Sequence, residues 1–175
     1  MPTWRDSPRS EMGHIWLIGM TGTGKTSVGA LVATGLQIPF VDVDALIVEH
    51  ENRSIPEIFA EGEDVFRCLE SREIAAVARN DAVVVATGGG AVLDPVNVQT
   101  MRSSGTIVLL SADIETLHLR LAGTTDRPLL DRPGALAALA AQRGAVYRHG
   151  ADHVIDTTGL DIETVAREVV ACAVT

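Results

Sequence analysis

The eight residues from Gly19 to Thr26 read GMTGTGKT and satisfy every fixed position of the pattern GxxxxGK[ST]. Glycines at Gly19, Gly22 and Gly24 let the backbone curl so that successive amides aim at one anion. Lys25 adds a mobile positive charge for the outer phosphates of a nucleoside triphosphate, and the Thr26 hydroxyl is an oxygen donor suited to Mg²⁺. Lys25 is the only lysine in the chain, against 13 arginines. Compositional bias accounts for the arginine excess but not for where the one lysine stands. The pattern alone does not separate kinases from GTPases, motors or transporters. A base-reading NKxD motif is absent, and motors and transporters usually need more chain than 175 residues. A small-molecule kinase remains.

A second constellation follows at Asp42 and Asp44, inside the run FVDVD. The alternation predicts a strand over 40–44, which turns both carboxylates to one side. At the carboxyl end of a strand in an open α/β sheet, one carboxylate can support Mg²⁺ through its waters while the other orients a hydroxyl nucleophile. A pair of solvated acids at a strand end fits the same spacing.

These residues need elements to hold them. Ile15 to Ile18 reads as a buried strand entering the glycine loop, and Lys25 to about Thr34 as a helix stopped by Gly35. Residues 45–80 have helical spacing broken near Arg53, where Ser54 and Glu57 form a capping-box pattern. Ala82 to Ala86 is a third strand running into Thr87, Gly88, Gly89 and Gly90, and Asp94 with Pro95 opens a short helix. Thr106 to Leu110 makes a fourth strand, and Asp113 caps a helix through Leu121. The polar stretch carrying both Arg-Pro pairs, about 122–134, is a candidate lid. An alanine-rich helix towards Tyr147, a strand at His153 to Asp156 and an amphipathic helix over 162–174 complete the pattern. Strands alternating with helices predict an α/β fold, a three-layer α/β/α sandwich on a mainly parallel five-stranded sheet. It forms one domain over 14–175, after a polar leader over 1–13 that is expected to be poorly ordered.

Composition narrows the class. Hydrophobic residues at 46% and charged residues at 21% are those of an ordinary folded domain. The net charge of −9 argues against nucleic acid or an anionic membrane as partner, so an anionic ligand must meet a local cluster of cations. No apolar run approaches a membrane span and no secretory signal is evident, which points to the cytoplasm. Cys68 and Cys172 belong to no metal-binding pattern and are expected to be two buried thiols. His149 and His153 do not share a helical face, so no metal spacing arises there. A monomer is expected, since no sustained heptad is present.

At this point the chain resembles the shikimate kinase family over nearly its whole length from about Ile15. The resemblance rests on VDVD, on Gly62, Glu63, Phe66 and Arg67 with Glu70 after them, on TGGGAV at Thr87 to Val92, on RPLL at Arg127 to Leu130, and on Tyr147 with Arg148. It implies a P-loop fold like that of the nucleoside monophosphate kinases, with ATP and Mg²⁺. The reaction implied is phosphorylation of the 3-hydroxyl of shikimate, a step of chorismate and aromatic amino-acid biosynthesis. Gly22, Thr23, Gly24, Lys25, Thr26, Ser27, Arg120 and Arg127 would then serve the nucleotide, with Arg120 stacking on adenine. Thr26 and Asp42 would serve the metal. Asp44, Arg67, Gly88, Gly89, Gly90 and Arg148 would hold shikimate, and Lys25, Asp44 and Arg127 would act in catalysis. Two arginines can grip a carboxylate bidentately, and Glu70 sits three residues from Arg67, where it can orient that guanidinium. Two other readings stay open: a related kinase for another polyol acid such as gluconate, and a catalytically silent nucleotide-binding regulator.

Overall fold

A computed structural model describes residues 12–122 and 134–173. Residues 1–11 of the expected leader, Arg127 and nearly all of the expected lid lie outside the described residues.

Five strands, β1 (His14–Ile18), β2 (Phe40–Asp42), β3 (Val84–Ala86), β4 (Gly105–Ser111) and β5 (His153–Asp156), form one sheet in the order β2-β3-β1-β4-β5. Every pairing is parallel. Central β1 is buried at all five residues, and its alternation assigns each side chain to a layer. Trp16 and Ile18 join one apolar core with Val85, Ile107 and Leu109. Ile15 and Leu17 join another with Val84, Val108 and Leu110. The second core is closed by α1 (Lys25–Leu36) and α8 (Ile162–Ala173). The first is closed by α2 (Val43–Glu51), α3 (Ile55–Glu61), α4 (Glu63–Val77), α5 (Pro95–Ser104), α6 (Ile114–Leu121) and α7 (Ala135–Gly150). The expected three-layer α/β/α sandwich with five strands is present.

Most element starts follow from their caps. Asp113 Oδ1 accepts from the Thr116 amide at 2.7 Å, Asp94 Oδ1 accepts from Val96 at 2.8 Å, and Ser54 with Glu57 completes the capping box at the head of α3. Short ion pairs tie α2 to α4: Arg72 to Glu51 at 2.8 Å and His50 to Glu73 at 3.1 Å. No helix among the described residues is long and apolar enough to cross a membrane.

Three expectations are corrected. Gly35 does not stop α1; the helix runs through it to Leu36, and Gln37 takes the left-handed conformation at φ 56°. The Gln37 amide donates to the Thr34 carbonyl and Ile38 to Ala33, while the Ile38 side chain packs into the core below. That paired bonding with an apolar contact terminates the helix at Gln37. The strand expected over 40–44 ends at Asp42, because the Asp42 carboxylate caps a new helix by accepting from the Asp44 and Ala45 amides. Cys68 is exposed rather than buried, and Cys172 is half-buried; both are free.

Gln37 bears a β-carbon in a conformation that disfavours one. Gln37→Gly is expected to raise stability by about 1 kcal/mol, read as a higher urea midpoint at unchanged slope; a lower midpoint would show that the side chain outweighs the backbone strain.

Candidate active site

Adjacent strands β1 and β3 send their chains to opposite faces. After β1 the chain turns through Gly19 to Gly24 into α1; after β3 it turns through Thr87 to Gly90 towards α5 on the other side. Their roots are joined where the Thr87 amide donates to the Leu17 carbonyl at 3.1 Å. Two loops diverging from neighbouring parallel strands leave a crevice at the strands' carboxyl ends. A cleft of about 770 Å³ opens there, lined by Gly22 to Val28, Asp42, Asp44, Thr87, Gly89 and Arg120 among others.

One wall is the glycine loop. Gly22 and Gly24 take positive φ values of 83° and 94°, which bare backbone adopts without strain. Lys25 Nζ donates to the Gly19 and Met20 carbonyls at 2.8 and 2.9 Å, holding the ammonium inside the curl. Thr26 Oγ1 donates to Asp42 Oδ2 at 2.8 Å. A hydroxyl and a carboxylate in contact at the mouth of a phosphate loop are the hard oxygen donors that fit Mg²⁺, which keeps most of its remaining ligands as water and phosphate. At the cleft's far end Arg120 is pinned by Thr157, donating to its hydroxyl and its carbonyl at 2.9 Å each. Leu121, Leu160 and Ile162 add apolar surface beside it, a combination suited to a purine face.

The opposite wall is built around the turn Gly88 to Gly90. A β-carbon at Gly88 would overlap Glu70 Oε1 and Asp44 Oδ1, and one at Gly90 would overlap the Arg67 guanidinium. A side chain at either position would displace these groups from the turn. Arg67 is fixed by Glu70, with NH1 to Oε2 at 2.7 Å, and by Glu63, with NH2 to Oε1 at 2.9 Å. The Glu70 side chain has no exposure at all. Asp44 reaches the cleft from the first turn of α2, so it meets Asp42 there although the two do not share a strand.

The structure does not bring Arg148 to this wall. Arg148 is exposed, its guanidinium lies back over Gly144, and it lines a separate small cavity beside Tyr147 and Val154. The second arginine at the glycine turn is Arg143, which is 7% exposed and donates from NH1 to the Gly89 carbonyl at 3.1 Å. The Tyr147 hydroxyl donates to the same carbonyl. Arg143 and Tyr147 are four apart and share a face of α7, whereas Arg148 is rotated by about 100° from Tyr147. That spacing was the signal available in the sequence. Thr157, buried beneath Arg120, was not singled out either.

Buried polar atoms normally have partners. Glu70 Oε1 and Arg143 Nε are buried with no hydrogen-bond partner among the described residues, and both belong to the wall around Gly88 and Gly89. Burial lifts the Glu70 carboxyl from 4.5 to about 6; Arg67 pulls it down and Asp44 adds to the lift. The folded-state value lies above the unfolded one, so the neutral carboxyl's stabilising contribution is complete below about 4.5 and is lost as pH rises through about 6. Glu70→Gln mimics the neutral form at every pH. The unliganded variant is expected to gain about 2 kcal/mol over the parent chain between about pH 4 and pH 7, measured by urea unfolding; a constant difference would mean that Glu70 is not strained by burial.

Comparison with known proteins gives the family. The family model for shikimate kinase matches residues 21–173. A shikimate kinase of Geobacter metallireducens is 46% identical over 173 residues, covering 97% of this chain and 96% of its own. Among solved structures, a shikimate kinase from Acinetobacter baumannii in complex with shikimate superposes with a TM-score of 0.90 at 31% identity, covering 94% of this chain and 96% of its own. A gluconokinase from Sinorhizobium meliloti reaches a TM-score of 0.59 at 20% identity over 91% of this chain and 90% of its own, and so shares the fold alone. With a loop for a triphosphate, a facing wall of two arginines and two carboxylates, and relatives of this closeness along nearly its full length, the chain belongs to the shikimate kinase family.

Proposed function

We propose that this protein transfers the γ-phosphoryl group of MgATP to the 3-hydroxyl of shikimate, giving shikimate 3-phosphate and ADP. The observation that carries the reading is the convergence of Arg67, Arg143, Glu70 and Asp44 on one glycine turn across the crevice from the phosphate loop. The acceptor offers a carboxylate, which matches two fixed guanidinium groups, and hydroxyls, which match carboxylate acceptors. Gluconate lacks the rigid ring that such a fixed wall suits.

The loop amides and Lys25 bind the triphosphate, Lys25 exchanging its carbonyl partners for phosphoryl oxygens. Thr26 and Asp42 would hold Mg²⁺, which when bound neutralises charge on the phosphates. Arg120 and the apolar residues beside it take the base. Arg143 and Arg67 grip the acid, with Arg143 filling the place that the sequence pattern had assigned to Arg148. Asp44 accepts a hydrogen bond from the attacking hydroxyl and aligns it with the γ-phosphorus. A new C–O–P linkage forms as the bond from the γ-phosphorus to the β–γ bridging oxygen breaks, and the hydroxyl proton leaves towards Asp44. Positioning and charge neutralisation supply most of the rate in such transfers. The same reading has the enzyme act as a monomer in the cytoplasm.

ADP release coupled to a reporter is expected with shikimate and not with gluconate; turnover with gluconate alone, or with neither, overturns the reading. Asp44→Asn is expected to keep ADP binding and lose roughly 100-fold or more in kcat. Arg143→Lys is expected to raise KM for shikimate by roughly 10-fold while leaving KM for ATP within about threefold, whereas Arg148→Lys stays close to the parent chain. The reverse ranking would return the carboxylate to Arg148.

A further inference from the structure

Five threonines line the crevice; Thr157 Oγ1 accepts from Arg120 at 2.9 Å, and three other hydroxyls are accounted for. Thr23 Oγ1 donates to the Met20 carbonyl at 2.8 Å, Thr26 Oγ1 to Asp42 at 2.8 Å, and Thr87 Oγ1 to the Leu17 carbonyl at 3.1 Å. Thr21 Oγ1 is buried as well, yet it has no hydrogen-bond partner among the described residues. Thr21 lines the cleft, so this unpartnered hydroxyl belongs to a residue that borders ligand space. The large majority of buried hydroxyls in folded proteins have a partner, and one without calls for an explanation.

The position of Thr21 says which ligand atom that is. Its amide nitrogen lies 3.8 Å from where a β-carbon on Gly89 would fall. Thr21 is therefore among the loop residues nearest the acceptor wall, with Gly19, whose carbonyl lies at the same 3.8 Å. A triphosphate laid along the loop has its inner phosphates over the Gly22 to Thr26 amides and the head of α1. Its terminal phosphoryl is the group that must reach the gap between Thr21 and Gly89, because the acceptor lies on the far side.

We propose that the Thr21 hydroxyl donates a hydrogen bond to a non-bridging oxygen of the γ-phosphoryl group, so that this residue distinguishes ATP from ADP and steadies the group that is transferred. The inference rests on the reading of the cleft as a kinase site. It differs from the roles of Lys25 and the loop amides, which serve the inner and outer phosphates alike.

The test compares the parent chain with Thr21→Val, which keeps the branched shape without the hydroxyl, and Thr21→Ser, which keeps the hydroxyl without the methyl group. Dissociation constants for ADP and for the non-hydrolysable β,γ-imido analogue of ATP are measured with Mg²⁺ by calorimetry, without acceptor. Thr21→Val is expected to weaken the analogue by roughly 10-fold or more while leaving ADP within about twofold, and Thr21→Ser to retain both within about twofold. Retained ADP binding shows that the loop is intact. Equal losses for both nucleotides, no loss for either, or a Ser variant as weak as the Val variant overturns the proposal. So does unchanged analogue binding with a raised KM for shikimate, which would assign the hydroxyl to the acceptor. If the parent chain failed to phosphorylate shikimate, the functional reading would fall while this nucleotide comparison kept its meaning.

Discussion

The site depends on one constraint: two neighbouring parallel strands, β1 and β3, are followed by chains that leave to opposite faces of the sheet. Parallel pairing aligns the strand ends, so both following turns begin at the same level. The opposite exits keep those turns from packing on each other. A triphosphate loop and an acceptor turn thereby face each other across a gap that neither can close. The buried alternation of His14 to Ile18 underlies this, since Ile15 and Leu17 anchor one layer while Trp16 and Ile18 anchor the other.

Electrostatics then has to overcome the chain's own sign. A protein of net charge −9 repels anions at long range, and screening confines that repulsion to about 8–10 Å. Within the cleft the balance is local. Lys25, Arg67, Arg120 and Arg143 are each held by carbonyls or carboxylates, and so they are positioned before a ligand arrives. Glu70 illustrates the cost. Its burial is opposed by desolvation, yet it orients Arg67 and shapes the space above Gly88. Strain of that kind, localised in a cleft, is what a binding wall shows and a structural ion pair need not.

Legibility in the sequence was uneven for identifiable reasons. The loop from Gly19 to Thr26, the capping box at Ser54 and the cap at Asp113 depend on contacts within a few residues, and all were visible in the order of residue types. Asp44 was placed correctly in the cleft for an incorrect reason: the alternation of FVDVD looks like a strand, but a carboxylate able to cap the next turn ends it. Gly35 looked like a helix stop, and an apolar Ile38 able to pack beneath the helix end moved the stop to Gln37. Arg148 was carried over with Tyr147 from the family resemblance, whereas Arg143, one turn before Tyr147 on α7, is the arginine that meets the glycine turn.

By itself the sequence determined the layer order of the fold, the identity of the phosphate loop and the family, because periodicity, caps and a contiguous motif are local properties of the chain. Only the tertiary structure decided which arginine meets the glycine turn, that Glu70 is fully enclosed, and that Thr21, at the cleft, keeps a buried hydroxyl with no partner among the described residues. Those facts depend on which helix face turns inward and on what lies across a gap between residues far apart in the chain, as for Thr21 and Gly89 or Gly89 and Arg143. Packing settles such distances, and no local pattern of residue types encodes them.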